Sequence, residues 1–476
     1  MAKIIHIAIF SLPTYSHQAS IIEFCKKLLH LHQQFHVTCI FPTISSPIPA
    51  TVILLKSLPS TANCIYLPPV NEEDLPKDAP LAMQVQHAVS QSLSSFRDTL
   101  SSLHATTPLA ALVTDVFANE ALEIAKEFNL LSYIYFTTST MTLSLLLQFP
   151  TLHEKVSGEY PDHIESIQIP GCMPIRGHDL PDDFHDRSSV VYKLILQRSK
   201  RLSLADGFLV NSFYEMEEDI VRSLQEHSGS SKNNAPIYLV GPIIQTGSSN
   251  MSNISQCLSW LENQRPQSVL YVSFGSLCSL SQQQLNELAL GLELSGQKFL
   301  WVLRAPSDST NPTFVGARND DPLQFLPHGF LERTKEQGLV IPYWAPQTQI
   351  LSNISTGGFI THCGWNSTLE SIVMGVPMIT WPLCADQKMN AILLAEGLKV
   401  ALRPEFNKND GTVEKEEIAK VIKGLILGDE RNEIRQRIEK LKDAAANAFK
   451  EHGSSTRELF QFGTQMENLF LREPFK

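Results

Sequence analysis

Apolar residues in the first half of the chain come in short runs bounded by turn residues, at 4–10, 36–41, 64–67, 109–114 and 131–136. Between them lie longer stretches, 20–32 and 82–103, where apolar positions recur three and four residues apart. A short apolar run suits a buried strand, whereas the three-and-four spacing sustained over more than ten residues suits an amphipathic helix. Their alternation predicts a parallel, doubly wound α/β sheet, with 207–211 and 237–240 as its last strands. After Gly241-Pro242 the pattern fades into 245–255, rich in Gly, Ser and Asn, which reads as an interdomain linker.

The pattern then restarts. A strand at 268–275 ends in a tight turn and is followed by a helix at 281–295 and a strand at 298–304, a second βαβ opening. Residues 307–324 form an Asn/Asp/Pro-rich stretch without periodicity, predicted to be a long loop. A buried strand at 358–362 leads through Cys363-Gly-Trp365 into a helix starting at Asn366 or Ser367. Helical patterns at 413–427 and 433–452 close this half, and a last helix spans 455–471. The domain plan is therefore 1–244, a linker at 245–255, 256–454, and a C-terminal helix within 455–476.

Composition narrows what such a chain can do. With 38 basic against 49 acidic residues, the net charge of −11 argues against a nucleic-acid surface. No run approaches the roughly 18 apolar residues of a membrane span, and the opening run is interrupted by His6, so it reads as a first strand rather than a signal peptide. Cys25, Cys39, Cys64, Cys172, Cys257, Cys278, Cys363 and Cys384 are scattered without a C-x-x-C, which suits a reducing cytosol. The sequon Asn366-Ser-Thr368 lies within the candidate site described next, and unmodified cytosolic residence is consistent with that. Acidic runs such as Asp182-Asp183 resemble no metal site.

The densest chemistry lies between Trp344 and Gln387. A strand that delivers a helix N-terminus offers unpaired N–H groups and a positive dipole end, so a diphosphate can sit there without a lysine cluster. Gly364 allows close backbone approach, and His362, Asn366 and Ser367 add side-chain donors. A purely structural reading also exists: Ser367-Thr-Leu-Glu370 has capping-box spacing, and Gly375 with Pro377 is an ordinary helix stop. A cap leaves the surrounding residues unexplained. Trp344 could stack on a base, Gln347 and Glu370 could hold ribose hydroxyls, and Asp386 and Gln387 could hold a sugar.

This stretch resembles the signature box of plant secondary-product glycosyltransferases, which move sugars from UDP-sugars to small lipophilic acceptors. The resemblance implies that Trp344 stacks on uracil, Ala345 contacts it through backbone atoms, and Gln347 and Glu370 bind ribose. It further implies that His362, Asn366, Ser367 and Ser276 bind the diphosphate and that Trp365, Asp386 and Gln387 hold the sugar. A terminal Gln is that family's usual mark of UDP-glucose. The implied fold is GT-B, two Rossmann-like parallel-sheet domains facing across a cleft, with the C-terminal helix crossing back onto the first.

Catalysis needs a base, and His17, after the first strand and turn, stands where the family places its histidine. Asp115, ending the 109–114 strand, would orient it, although an Asp there also suits a helix N-cap. Thr137 resembles a position near the sugar's 6-hydroxyl. The family's P-G-x-G-H-x-x-P loop is here Pro13-Thr-Tyr-Ser-His17-Gln-Ala-Ser20, without either glycine or the second proline, which adds bulk near the acceptor. A nicotinamide-dependent oxidoreductase is disfavoured, because 12–20 contains no glycine for G-x-G-x-x-G.

The expectation is an inverting glucosyltransferase that uses UDP-glucose and a small aromatic acceptor, with no metal and no cofactor. It is expected to be monomeric, cytoplasmic and not membrane-inserted. Transfer of galactose or another sugar, C-glucosylation, and a non-catalytic UDP-sugar or phenolic binding protein are the alternatives.

Overall fold

The structure is a computed structural model that describes residues 4–76, 79, 81–228, 235–245, 253–276, 278–307, 321–407 and 410–472. Chain contacts divide it into two compact units, Met1–Gln245 with Asn447–Lys476, and Thr246–Ala446. Of the residues predicted as linker, 246–252 lie outside the described residues, and 253–255 already belong to the helix Asn253–Glu262. Most of the predicted 307–324 loop, 308–320, also lies outside them, and Pro322–Phe325 forms a 3-10 turn.

In the first unit the strands are β1 (Ile5–Phe10), β2 (Phe35–Phe41), β3 (Ala62–Tyr66), β4 (Leu109–Asp115), β5 (Leu131–Phe136), β6 (Gly207–Val210) and β7 (Ile237–Leu239). They form one sheet of order β3-β2-β1-β4-β5-β6-β7, with every pairing parallel. Every residue of β1 and β4 is buried. A parallel sheet covered on both faces demands this continuous apolar run, which is why these strands are legible in the sequence. Sequence order reverses between β1 and β4, and a crevice opens at such a point beyond the strands' carboxyl ends.

The C-terminal helix Ser454–Arg472 belongs to the same unit. Its Leu459, Phe462 and Met466, spaced along one helical face, are fully buried in the core that holds Ile5, Ile7, Phe24 and Tyr133. The Phe462 ring meets Tyr133 edge-on at 5.0 Å. Burying three such side chains contributes roughly 5–9 kcal/mol before the entropy of ordering the helix.

The second unit repeats the plan with β8 (Val269–Ser273), β9 (Lys298–Leu303), β10 (Gly338–Pro342), β11 (Thr356–Thr361), β12 (Met378–Thr380) and β13 (Ala401–Leu402), in the order β10-β9-β8-β11-β12-β13 and again parallel throughout. The reversal here lies between β8 and β11. β10, β12 and β13 escape the hydrophobic pattern: β10 is mostly half-buried, β12 lies directly behind the Gly375–Pro377 helix stop, and β13 has only two residues. Pro342 is tolerated in β10 because that strand is an edge.

Among the predicted helix starts that move, two lie at candidate site residues. The helix read from residue 20 begins at Tyr15, with extended Thr14 as its N-cap, so His17 lies in its first turn. Neither Thr14, at φ −128°, nor helical Ser16 needs a glycine's freedom, so the loss of both glycines is compatible with this backbone. The helix read from Asn366 or Ser367 begins at Trp365, with Gly364 as its N-cap.

Candidate functional site

In the first unit, the β1–β4 reversal brings together residues that lie 98 positions apart. His17 Nδ1 is 2.7 Å from Asp115 Oδ2. Asp115 is fully buried and His17 about one-fifth exposed, so the carboxylate is shielded while the imidazole keeps a solvent-facing portion. The other oxygen, Oδ1, accepts the backbone N–H of Phe117 at 3.0 Å and caps the 3-10 turn Val116–Ala118. Asp115 therefore bonds His17 with one oxygen and the turn Val116–Ala118 with the other, while the α-helix Ala121–Glu127, for which an Asp cap was the alternative, has Glu120 at its N-cap position. Because a carboxylate oxygen can only accept, Nδ1 carries the proton and Nε2 is the ring's basic nitrogen. Thr137 Oγ1 lies 3.2 Å from the same Nδ1, which places Thr137 at this pair.

In the second unit, β11 delivers the chain through Cys363, at φ +62°, to Gly364 and the helix Trp365–Met374. Its first intrahelical bond runs from Thr368 N to Gly364 O, so the preceding amides have no intrahelical carbonyl. His362 is enclosed beside this helix end. A Cβ on Gly364 would lie 2.3 Å from its Nε2, and one on Gly275 2.6 Å from the ring. Both glycines therefore make room for the imidazole, and Gly275, at φ +70°, also needs glycine's backbone freedom. Burial, reinforced by nearby Arg304, holds His362 down at about 4. It is a neutral hydrogen-bond donor at pH 7 rather than a cation.

Ser276 stands exposed on the turn after β8. Sequence reasoning missed what supports that turn: Arg304 donates through Nη1 to the carbonyls of Gly275 (3.3 Å) and Cys278 (3.1 Å). A charged residue ending an apolar strand was the available signal. Asn390, beyond the box and fully buried, was also missed. Its Nδ2 donates to Cys363 O and Asp386 Oδ2, both at 3.0 Å, tying the strand–helix turn to the far end of the box.

The capping box is absent, because the Gly364 N-cap makes no side-chain cap bond. Gln347 Nε2 instead donates to Ser367 Oγ at 2.8 Å and to Glu370 Oε2 at 2.7 Å, and Tyr271 donates to Gln347 Oε1 at 3.3 Å. Gln347 and Glu370 thus form one unit. Burial pushes Glu370 up to about 7, opposed by the Gln347 bond. Trp344 is 39% exposed, while Ala345 beside it is buried.

The sugar-end residues are mostly turned inward. Trp365 is 4% exposed. Gln387, also 4% exposed, accepts the backbone N–H groups of Leu383 (2.7 Å) and Cys384 (3.0 Å) through Oε1, so its carbonyl braces its own turn. Asp386 remains partly exposed, and Asn366 likewise at the helix start.

Cys384 in that turn is disulfide-bonded to Cys278, 106 residues away, beside the Ser276 turn. This pair stands against the reading of the scattered cysteines as suited to a reducing cytosol, which rested on spacing alone. The other six are free. Among the described residues, no three His, Cys, Asp or Glu side chains converge as a metal site, and no helix is long and apolar enough to cross a membrane.

Comparison with known proteins identifies the family. The model of the family described as "UDP-glucoronosyl and UDP-glucosyl transferase" matches residues 253–433. The hydroquinone glucosyltransferase of Rauvolfia serpentina is 46% identical over 466 residues, 97% of this chain and 98% of that protein. Among solved structures, UGT2 of Phytolacca americana complexed with UDP-2-fluoro-glucose and pterostilbene is 42% identical, covers 98% of this chain and 100% of its own, and gives a TM-score of 0.87. A Polygonum tinctorium UDP-glucosyltransferase capable of glucosylating indoxyl, in complex with 3,4-dichloroaniline, is 43% identical over 98% and 99% of the two chains, with a TM-score of 0.89. Two Rossmann-like parallel sheets of the GT-B class and likeness over nearly the whole chain to glucosyltransferases make this chain a UDP-glycosyltransferase, a member of the UDP-glucoronosyl and UDP-glucosyl transferase family.

Proposed function

We propose that the protein transfers glucose from UDP-glucose to the hydroxyl of a small phenolic acceptor, with inversion at the anomeric carbon. The observation that carries the catalytic part is the 2.7 Å contact between His17 Nδ1 and Asp115 Oδ2. With Nδ1 protonated and held, Nε2 takes the acceptor's O–H proton while the oxygen attacks the anomeric carbon. The bond from that carbon to UDP breaks on the opposite face, UDP leaves with the electron pair, and an α-linked donor gives a β-glucoside. Asp115 stabilises the imidazolium that forms.

On the donor side, Trp344 stacks on uracil with Ala345 beside it, and Glu370, oriented by Gln347, accepts ribose hydroxyls. Neutral His362, Asn366, Ser367, Ser276 and the helix amides receive the diphosphate, whose leaving charge is met by fixed dipoles. Asp386 takes sugar hydroxyls, while Trp365 and Gln387 shape the sugar end from within. On this reading turnover needs no metal. Phenolic acceptors are supported by the relatives named for hydroquinone and crystallised with pterostilbene.

Cytoplasmic residence is supported by the six free cysteines and by the sequon inside the donor site. The Cys278–Cys384 bond points the other way, since a reducing compartment would hold both as thiols.

The test is incubation with UDP-glucose and a panel of phenols in excess EDTA, with products read by mass and the anomeric coupling read by NMR. A β-O-glucoside formed in EDTA is expected. Turnover only with another sugar nucleotide, an α-product, or activity lost in EDTA and restored by magnesium would overturn the corresponding part.

A further inference from the structure

Arg198 is a buried cation that the proposed mechanism does not use. It lies near the end of the helix Val190–Arg201 and is 5% exposed. Its Nη2 donates to Gln86 Oε1 at 2.8 Å and to the carbonyl of Phe117 at 3.4 Å, and its guanidinium lies over the Phe117 ring, 5.2 Å from the centroid. Among the described residues, its Nε and Nη1 meet no hydrogen-bond partner. Glu120, Asp115, Arg201 and Asp183 are the charged groups that bear on it. A buried guanidinium with unpaired donors is a poor choice for stability alone, because desolvating it is costly and an apolar side chain would fill the space more cheaply.

The partner of Arg198 leads directly to the base. Phe117 donates its N–H to Asp115 Oδ1, and Asp115 Oδ2 holds His17 Nδ1. The Phe117 ring meets the His17 imidazole edge-on at 5.7 Å. The same short turn is gripped from both sides: Thr114 Oγ1 donates to Ala118 O at 2.9 Å, and Asn119 Nδ2 donates to the carbonyl of Arg198 itself at 2.9 Å. A carboxylate can orient an imidazole only if it cannot rotate, and what stops Asp115 from rotating is the Phe117 amide. What locates that amide is the turn held against the 190–201 helix.

We propose that Arg198 is a positioning residue for glucosyl transfer, holding the Val116–Ala118 turn and the Phe117 ring so that Asp115 presents its oxygen to His17. The proposal rests on the reading of His17 as the base. It assigns Arg198 no contact with substrate. Its effect passes entirely through His17.

The test is a double-mutant cycle read with two acceptors, an acidic nitrophenol and a less acidic alkylphenol. Arg198→Met is expected to lower kcat for the alkylphenol by roughly ten- to a hundredfold, a fraction of the 10²–10⁴ of a full general base. The nitrophenol should lose much less, because it needs less help with its proton, and the affinity for UDP-glucose should not change. In a His17→Ala background the same Arg198 substitution should have no further effect on kcat. Arg198→Lys keeps the charge without the planar face and should fall between parent and Arg198→Met. If the Met variant does not fold, the cycle is run on the Lys variant. Selective histidine labelling adds a spectroscopic readout, in which the downfield proton of the His17–Asp115 bond should broaden or shift in either variant. Equal loss with both acceptors, or an Arg198 effect that persists undiminished without His17, overturns the positioning role. A His17→Ala protein as active as the parent overturns the base assignment instead.

Discussion

The two sheets of this protein place their chemistry at the same topological position and fill it differently. In the first, the reversal between β1 and β4 brings a histidine on a helix start to an aspartate on a strand end. In the second, the reversal between β8 and β11 brings a glycine turn to a helix N-terminus, with a neutral histidine enclosed between two glycines. One place pairs an imidazole with a buried carboxyl group 2.7 Å away. The other provides donors and dipoles and keeps its histidine uncharged by burial. On the proposed function, one topology serves proton transfer in one unit and anion binding in the other, and the side chains rather than the fold decide which.

The most forceful way to break this comparison is to remove the base. His17→Ala should lower kcat with a weakly acidic acceptor by roughly 10²–10⁴-fold, while calorimetry should find UDP-glucose binding as in the parent. Matching losses of turnover and donor affinity would mean that the division of labour is wrong.

The mirror experiment puts a charge where dipoles should act. Asn366→Asp sets a carboxylate at the helix start beside a bound diphosphate, and like-charge repulsion in a partly desolvated site should weaken UDP-glucose by roughly a hundredfold or more. A variant that binds normally would move the phosphate away from this helix.

A pH titration sharpens the contrast at Glu370. Burial raises its folded value to about 7 from an ordinary 4.5. Between those values the folded state holds the extra proton, so this group's contribution to stability is full below about 4.5 and is lost as pH rises through 7. Donor binding has the opposite sign, because ribose hydroxyls are accepted best by the ionised carboxylate. Affinity for UDP-glucose should therefore rise by up to about tenfold per pH unit on approaching pH 7 and level off above it. Glu370→Gln should flatten that slope, and a slope that survives the substitution would belong to another group.

The smallest effect is expected at the disulfide, which joins the Ser276 turn to the Asp386–Gln387 turn within one unit. Cys278→Ser, or treatment of the parent with a dithiol, should raise the KM for UDP-glucose by about two- to fivefold with kcat preserved, the cost of ordering one freed loop. Peptide mapping with and without reductant should show the 278–384 link in the parent alone. No change in KM would make the bond irrelevant to the donor.

The sheet strands and the 344–387 box were readable in one dimension because their signals are contiguous. A strand buried on both faces must be a continuous apolar run, and a helix-end anion site is a strand, a turn and a few donors in sequence. β10, mostly half-buried, β12, directly behind the Pro377 helix stop, and β13, two residues long, present no separate buried apolar run. Helix starts moved because polar residues such as Tyr15 and Ser16 can sit in a first turn without marking it.

What only the tertiary structure decided concerns partners and burial. Asp115 was ambiguous between pairing with His17 and capping the next helix; the fold puts one oxygen against His17 and the other on the turn Val116–Ala118, and leaves the helix itself to Glu120. Gln347 and Glu370, read in the sequence as separate contacts, are one hydrogen-bonded pair, and Gln387 turns its amide carbonyl to its own backbone. Arg304, Asn390 and Arg198 carried no motif at all. The Cys278–Cys384 bond closes over 106 residues with no spacing to announce it. Residue type and local pattern determine which chemistry a segment is able to do. The proton a group holds and the partner it meets depend on desolvation and on neighbours that arrive from distant parts of the chain, and those exist only once the sheets have formed.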